Sequence, residues 1–311
     1  MAMKVAIVGV GYVGATLAYT LLELETLREL FLAGRNLQRL EGEAIDLRHA
    51  ASFFAPRQTI SFGPVADCHN ADIVVLCLSH KQSSFDRTHL AIDNARLFAE
   101  VVPVLTRQNP ECVFVVATNP VEALTQWTIE LSGLPPHRVL GAGTVIDSCR
   151  FRDALSVHLR VHPDDVRAYV LGEHGKSQFI WLSGAAVGGV HLKAADIPPH
   201  VVESTRSSGT DIFQLKGNTC YAIAQALKLI VRCIAGNRLG TMPVSTQVDL
   251  GEGFPPLCLA KPCIVGRRGI EQVLEPQFSS EEQQMWLASG RHVAATLADI
   301  HNALGDTPRA G

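Results

Sequence analysis

The pattern of apolar and polar positions in the first half of the chain alternates between two periods. Short, nearly continuous apolar runs predict strands at residues 4–8, 29–33, 58–62, 72–78, 112–117 and 138–140. Stretches with apolar residues every three or four positions predict helices at residues 12–24, 37–48, 90–105, 121–131 and 146–159. Buried strands separated by amphipathic helices are typical of a parallel sheet covered on both faces. The pattern therefore predicts an α/β fold with a doubly wound parallel sheet of the Rossmann type.

The second half has a different pattern. Runs rich in Gly and Val predict strands at residues 166–171, 244–250 and 257–265, and helical periodicity covers residues 200–216, 219–235 and 280–303. A length of 311 residues fits two domains, which we place at residues 1–143 and 144–311. We expect the second to be a mixed α+β substrate domain, with a ligand in the cleft between the halves.

Composition narrows the class of ligand. Charged residues make up 18% of the chain, the net charge is −3, and no basic block is present, which argues against nucleic-acid binding. The eight cysteines form no C-x-x-C pair, and most lie in apolar runs, as in proteins of a reducing cytoplasm. No signal peptide or membrane span is expected. The composition favours a cytoplasmic protein that binds small molecules.

Residues 9–14 read Gly-Val-Gly-Tyr-Val-Gly, between a predicted strand and a predicted helix. This G-x-G-x-x-G context indicates dinucleotide binding, because the first glycine permits a tight turn, the second lets a pyrophosphate approach, and the third allows close packing. A purely structural turn is the alternative. We assign cofactor contacts to this segment at Gly9, Gly11, Tyr12, Val13 and Gly14.

The acidic residue that usually binds the ribose hydroxyls is absent from the end of the second predicted strand. Gly34 and Arg35 follow that strand instead. Loss of the carboxylate removes repulsion toward a 2′-phosphate, and Arg35 can pair with that phosphate, so NADP is one alternative. The other is that Arg35 is a solvated loop cation and the protein uses NAD.

Acid/base chemistry is indicated by Gly172-Glu173-His174-Gly175 together with Asp147 and Arg150. Histidine changes protonation near neutral pH, so His174 suits the transfer of a hydroxyl proton while a hydride moves to a nicotinamide. Asp147 and Arg150 share one helix face, so Asp147 can orient the imidazole while Arg150 binds a substrate carboxylate. A structural histidine and an intrahelical salt bridge are the alternatives.

Two further candidates follow predicted strands. Arg87 ends the polar segment 79–87, where a mobile-loop cation would polarise a substrate carbonyl on closure. Asn119 lies in Thr118-Asn119-Pro120 after the fifth strand, at the sheet edge where ligands bind in such folds. A solvated arginine is the alternative for Arg87.

The chain resembles the L-lactate/malate dehydrogenase family over nearly its whole length. The likeness is carried by the glycine-rich turn, EGEAIDL at 41–47, TNPV at 118–121, GAGTVIDSCRFR at 141–152 and GEHG at 172–175. The resemblance implies that His174 is the proton relay and Asp147 its partner. It also implies that Arg150 anchors the substrate carboxylate, Arg87 polarises the carbonyl, and Asn119 contacts substrate and nicotinamide.

Within that family, one residue near the start of the mobile loop separates lactate-type from malate-type members. Counting forward from the fourth strand places Gln82 there, as in lactate-type members, whereas counting backward from Arg87 places Lys81 there, which favours malate. Thr219 also matches the lactate-type pattern; a helix N-cap is the alternative interpretation of this residue, and the two are compatible. We therefore expect pyruvate/L-lactate as substrate, with malate, a bulkier 2-hydroxy acid, or a weakly catalytic dinucleotide sensor as alternatives.

Regulation and assembly are also implied by the resemblance. Arg152 matches a position that binds an activating sugar bisphosphate, and Arg167 stands where its histidine partner usually is. A fructose 1,6-bisphosphate site is thus one alternative, and ordinary surface salt bridges are the other. His158 and His162 lack a third ligand, so no metal is expected. We expect a homotetramer or homodimer.

Overall fold

The structure, a computed structural model, describes residues 3–80 and 87–305. The first half contains β1 (Met3–Val8), α1 (Tyr12–Leu21), β2 (Leu27–Ala33), α2 (Leu37–Ala51), β3 (Thr59–Gly63), β4 (Ile73–Leu76), α3 (Arg87–Gln108), β5 (Val113–Val116), α4 (Val121–Ser132), β6 (Val139–Gly141) and α5 (Val145–Leu159). The second half contains β7 (Val166–Arg167), β8 (Val170–Leu171), β9 (Phe179–Ile180), β10 (Ala186–Val187), β11 (Val190–His191), α6 (Pro199–Lys216), α7 (Tyr221–Gly236), β12 (Gly240–Val248), β13 (Leu257–Gly266), β14 (Gly269–Val273) and α8 (Ser280–Leu304).

One large sheet runs through the described residues, with the strand order β14-β13-β12-β6-β5-β4-β1-β2-β3. The strands β1 to β6 pair in parallel in the order typical of a doubly wound Rossmann sheet. The strands β12, β13 and β14 add to it as an antiparallel extension. The predicted α/β class with a parallel-dominated sheet and a mixed second half is confirmed.

The two halves share this sheet at a single seam. Ser245 of β12 pairs with Gly141 of β6, and a Cβ at Gly141 would lie 2.9 Å from the Cβ of Ser245. Glycine is therefore required where the antiparallel hairpin joins the parallel strands. The domain boundary at residue 143 stays a prediction.

The strands of the second half differ from the prediction. The single strand predicted at residues 166–171 is wrong, because Ala168 and Tyr169 separate β7, which pairs with β10, from β8, which pairs with β9. The two-residue strands β9, β10 and β11 were not predicted, and neither was β14. Its sequence, GIEQV, has half-buried and exposed positions that break the apolar pattern.

The core lies on both faces of the sheet. Alternate residues of β1 face opposite ways, so Val5 and Ile7 pack with α1, α2 and α7, while Ala6 and Val8 pack with α3, α4 and α8. Burial on both faces explains why the strands are almost continuously apolar. Within the described ranges, no helix is both long and apolar enough to cross a membrane.

Candidate active site

The glycine-rich turn joins β1 to α1, and its three glycines have different environments. Gly9 has φ +95°, and a Cβ there would lie 2.4 Å from the backbone nitrogen of Leu78. A Cβ at Gly14 would lie 2.2 Å from the carbonyl oxygen of Gly9. At Gly11, by contrast, no described atom lies within 4 Å of an added Cβ. Gly9 and Gly14 therefore build the turn, and Gly11 leaves space beside it.

That space suits an anion. Gly11 is the N-cap of α1, and neither a capping side-chain bond nor an acidic first-turn residue occurs there among the described residues. Amide groups of a first helical turn have no intrahelical partner, and the helix dipole favours negative charge at this end. Tyr12 is 69% exposed and Val13 is half-buried beside the space. The geometry fits the pyrophosphate of a dinucleotide.

The end of β2 has no carboxylate. Asn36 accepts a hydrogen bond from the backbone N–H of Arg39 at 3.0 Å and so caps α2, while Arg35 is exposed. A Cβ added at Gly34 would lie 3.5 Å from Leu40 Cδ1, which is an ordinary contact. The fold therefore accepts a side chain at Gly34.

Asp147 lies in the first turn of α5, and its carboxylate is shared between two partners. Oδ1 accepts a hydrogen bond from Nη1 of Arg150 at 3.1 Å, one turn along the helix. Oδ2 lies 2.5 Å from Nδ1 of His174. The Asp147 side chain is only 2% exposed, so water screens these contacts weakly. The structure thus brings together three residues that the sequence singled out.

The guanidinium of Arg150 packs closely against a glycine on a neighbouring helix. A Cβ at Gly209 of α6 would lie 3.3 Å from Nη1 and 3.4 Å from Nη2 of Arg150. The Arg150 side chain remains 16% exposed, enough to meet a small ligand. Sequence analysis missed Gly209, although glycine inside a helical pattern is a signal of close packing.

The turn that carries His174 is fixed to β13 and α8. Gly172, with φ +92°, exchanges two backbone hydrogen bonds with Ala260 at 3.0 and 2.8 Å. The next residue, Glu173, donates its N–H to Oγ of Ser289 at 2.7 Å. A Cβ at Gly172 would lie 2.5 Å from that oxygen, so glycine is required there.

His174 is in a charged surrounding that favours its protonated form. Burial alone lowers the pKa of the imidazole, but Asp147 and then Glu122 raise it, and the net pKa lies above the ordinary value for histidine. The His174 side chain is 24% exposed. A protonated imidazole is therefore available near neutral pH for general-acid chemistry.

The loops after β4 and β5 are held together by Asn94 of α3, another residue that sequence analysis missed. Its Nδ2 donates to the carbonyl oxygen of Asn119 at 2.8 Å, and its Oδ1 accepts from the backbone N–H of His80 at 2.7 Å. Thr118 adds a bond to the carbonyl oxygen of Leu78 at 2.6 Å. Asn119 itself is exposed at the sheet edge.

Comparison with known proteins shows which family the chain belongs to. Residues 3–141 match the model of the lactate/malate dehydrogenase NAD binding domain, and residues 144–303 match its alpha/beta C-terminal domain. The chain belongs to the lactate/malate dehydrogenase family. It is 38% identical to an L-lactate dehydrogenase of Thermus aquaticus, over 97% of this chain and 100% of the relative. An L-lactate dehydrogenase of Acetivibrio thermocellus is 35% identical, over 97% of each.

A solved structure supports the same family. A lactate dehydrogenase enzyme from a Medee basin deep-sea metagenome library superposes with a TM-score of 0.91 at 29% sequence identity. The match covers 96% of this chain and 99% of the other. As a lactate/malate dehydrogenase family member, this protein is an oxidoreductase.

Three of the predicted site residues, Lys81, Gln82 and Arg87, come between β4 and the first turn of α3. Lys81 and Gln82 lie outside the described residues. Arg87 is the first residue of α3, which begins three residues before the predicted start, so its placement in a loop is wrong.

Of the remaining predicted residues, Thr219 does not cap a helix. The helix α7 begins at Tyr221 and its N-cap is Cys220, so the alternative interpretation of Thr219 as the cap is wrong by one position. Arg152 is half-buried and donates from Nε to the carbonyl oxygen of Ser148 at 3.3 Å, and Arg167 is exposed on β7.

The two histidines considered for a metal have separate partners. The ring of His158 packs edge-on against His200 with centroids 5.8 Å apart, and Nδ1 of His162 lies 3.7 Å from a carboxylate oxygen of Asp164. No group of three or more metal-binding side chains is found in residues 3–80 and 87–305.

Proposed function

We propose that this protein interconverts a 2-oxo acid and an L-2-hydroxy acid by hydride transfer with a nicotinamide cofactor, with pyruvate and L-lactate as the first pair. The observation that carries the proposal is the carboxylate of Asp147, bonded both to His174 and to Arg150. It joins a proton donor to a carboxylate-binding cation in one small space. Relatives named L-lactate dehydrogenase support the choice of pyruvate.

The residues divide the chemistry among them. Arg150 pairs with the substrate carboxylate through its guanidinium fork and so orients the carbonyl. Because Asp147 holds Nδ1 of His174, Nε2 is the nitrogen left to exchange a proton with the substrate oxygen. A bound nicotinamide supplies the hydride in reduction and accepts it in oxidation. In reduction, His174 gives its proton to the carbonyl oxygen and becomes neutral; in oxidation it takes the hydroxyl proton.

The cofactor would lie on the glycine-rich turn, with its pyrophosphate beside Gly11 and the first turn of α1. The open end of β2 supports NADPH as well as NADH, because Gly34 offers no carboxylate and Arg35 offers an exposed cation. We further propose that Asn119 and Arg87 bind or polarise the substrate carbonyl. Gln82 and Thr219 would contact the end of the substrate that lies away from its carboxylate.

An effector site and an assembly belong to the same proposal. Arg152 and Arg167 would bind fructose 1,6-bisphosphate, which is tested by its effect on the pyruvate saturation curve with and without Arg167→Ala. A pyruvate saturation curve that fructose 1,6-bisphosphate leaves unchanged removes the effector proposal. The proposed homotetramer or homodimer is tested by light scattering.

The test of the main proposal is initial-rate reduction of pyruvate and oxaloacetate, each with NADH and NADPH, followed at the nicotinamide absorbance band. Dominant pyruvate turnover that is lost in His174→Asn supports the proposal and Gln82 as the specificity residue. Oxaloacetate preference assigns that position to Lys81. Cofactor binding without turnover, and without a ternary complex with the pyruvate mimic oxamate, overturns the proposal and favours a sensor.

A further inference from the structure

Glu122 is a buried carboxyl group that the proposed chemistry does not use. It lies in the first turn of α4, three residues after Asn119, and is 1% exposed. Its Oε2 accepts the backbone N–H of His174 at 3.0 Å, and its Oε1 accepts the hydroxyl of Ser245 at 2.7 Å. One side chain therefore connects the histidine with a distant strand.

Ser245 is a fixed partner for this contact. It is fully buried and lies at the seam where β12 meets β6. A Cβ at Gly143 would lie 2.7 Å from Oγ of Ser245, and one at Gly141 would lie 2.9 Å from its Cβ. The glycines pack so closely around Ser245 that its hydroxyl has little freedom, and Glu122 is anchored with it.

The backbone on the other side of Glu122 is held at three successive residues. Gly172 is bonded to β13 and Glu173 is bonded to Ser289 of α8. His174 is bonded to Glu122 of α4. The bond from α4 acts on the residue that carries the imidazole, so its loss would move that imidazole relative to Asp147.

Burial of Glu122 is costly, which indicates a role beyond packing. Burial raises the pKa of its carboxyl to about 7, against the lowering effects of His174 and the Ser245 hydroxyl. The negative charge of Glu173, from the histidine turn, also raises the pKa of Glu122. Glu122 in turn raises the pKa of Cys258 on β13. A neutral amide could bond to the same two partners at lower cost, accepting from His174 and donating to Ser245.

We infer that Glu122 is a positioning residue, which fixes the backbone of His174 against the β6–β12 seam and places a second carboxyl group beside that histidine. This inference rests on the proposed proton relay of His174. It makes the position of His174 depend on the first turn of α4, which comes directly after Asn119 and Pro120. Substrate orientation and histidine position would then depend on one rigid segment.

Two substitutions separate position from charge. Glu122→Gln keeps the shape, because the amide oxygen can accept from His174 and the amide nitrogen can donate to Ser245, but it removes the charge. Glu122→Leu removes both hydrogen bonds and the charge. We expect a lower His174 pKa in both variants. For pyruvate reduction, we expect kcat to fall a few-fold in Glu122→Gln and about 10- to 100-fold in Glu122→Leu, with KM little changed.

Gln126 provides the matched control. It lies one turn further along α4, is 2% exposed, and bonds to Glu130 at 2.9 Å and Gln247 at 3.1 Å. Gln126 also accepts a hydrogen bond from Sγ of Cys258 at 3.7 Å, so Gln126→Leu removes a comparable set of hydrogen bonds from a buried side chain of the same helix. We expect it to lower the melting temperature while kcat and the titration of His174 stay as in the wild type.

The deciding measurement is the NMR titration of the His174 imidazole, assigned by the loss of its signals in His174→Asn. It needs no turnover, so failure of the proposed reaction with wild-type enzyme is seen separately in the rate assay. A lower His174 pKa in Glu122→Gln, but not in Gln126→Leu, supports the inference. A wild-type His174 titration in both Glu122→Gln and Glu122→Leu overturns it, whatever happens to activity.

Discussion

Nδ1 of His174 lies 2.5 Å from Oδ2 of Asp147, although the two residues come from different elements, the turn after β8 and the first turn of α5. A carboxylate at this distance favours the imidazolium, and the His174 pKa lies above its ordinary value. Since reduction needs the protonated imidazole, the rate of pyruvate reduction should fall as the pH rises through this raised pKa. Lactate oxidation should show the opposite dependence.

Asp147→Asn should remove this effect. The amide keeps the shape of the side chain but not its charge, so the His174 pKa should fall and the alkaline limb of kcat/KM for pyruvate should move to lower pH. We expect kcat at neutral pH to fall about 10- to 100-fold, the value of a charge-assisted hydrogen bond. The measurement is the pH profile of initial rates.

Asp93→Asn is the control for that change. Asp93 forms the same kind of ion pair with Arg96, three residues on, at 3.0 Å, but its side chain is 37% exposed on α3. Its pH profile should match the wild type. A wild-type profile in Asp147→Asn would contradict the proposed role of the pair.

Gly209→Ala should change stability and substrate binding in opposite directions. Alanine in the interior of a helix stabilises it by about 1 kcal/mol relative to glycine. The new Cβ would lie 3.3 Å from Nη1 of Arg150, so the guanidinium must move by a few tenths of an ångström. We expect a higher melting temperature and a several-fold higher KM for pyruvate.

Gly42→Ala tests whether that result is specific. Gly42 lies in α2, and no described atom is within 4 Å of a Cβ added there. This variant should gain the same helix stability with KM unchanged. Equal KM values for Gly209→Ala and the wild type would show that Arg150 tolerates the displacement or does not bind the carboxylate.

Gly34→Asp should move cofactor preference toward NADH. The fold accepts a side chain there, and the added carboxylate would repel a 2′-phosphate and accept ribose hydroxyls. We expect the ratio of kcat/KM with NADPH to that with NADH to fall about tenfold or more, and to fall also in Arg35→Gln. Arg39→Gln is the control, because Arg39 pairs with Glu43 at 3.6 Å on α2. If the ratio stays at the wild-type value in Gly34→Asp and Arg35→Gln, the end of β2 does not discriminate between cofactors with and without the 2′-phosphate.

Features that depend on the local apolar pattern and on helix spacing could be predicted from the sequence. Strands buried on both faces are continuously apolar, and Asp147 and Arg150 are near each other through helix geometry alone. The contact of Glu122 with His174 joins positions 52 apart, and that of Ser289 with Glu173 joins positions 116 apart. No periodicity encodes such contacts, so Glu122, Ser289 and Asn94 were missed. Strands of two residues such as β7 and β8 are also too short for a pattern to separate.

Glu122 should make the protein less stable as the pH rises from acid to neutral. Its carboxyl has a pKa near 4.5 in the unfolded chain and about 7 in the folded protein. Between these pH values the folded state binds a proton that the unfolded state has lost. The free energy of unfolding therefore falls as the pH rises from the lower pKa to the upper one, by about 3 kcal/mol in all. Glu122→Gln should lack this loss and gain on the wild type by that amount between acid and weakly alkaline pH.

The measurement is urea unfolding at a series of pH values and constant protein concentration, taken as the difference between Glu122→Gln and the wild type. Titrations that the substitution leaves unchanged cancel in that difference, so its slope reports Glu122 together with the linked titration of His174. Gln126→Leu leaves Glu122 and both of its hydrogen bonds in place, so its difference from the wild type should not show this loss. A flat difference for Glu122→Gln would mean that the carboxyl titrates alike in the folded and unfolded chains, and that its burial is relieved by solvent in the folded protein.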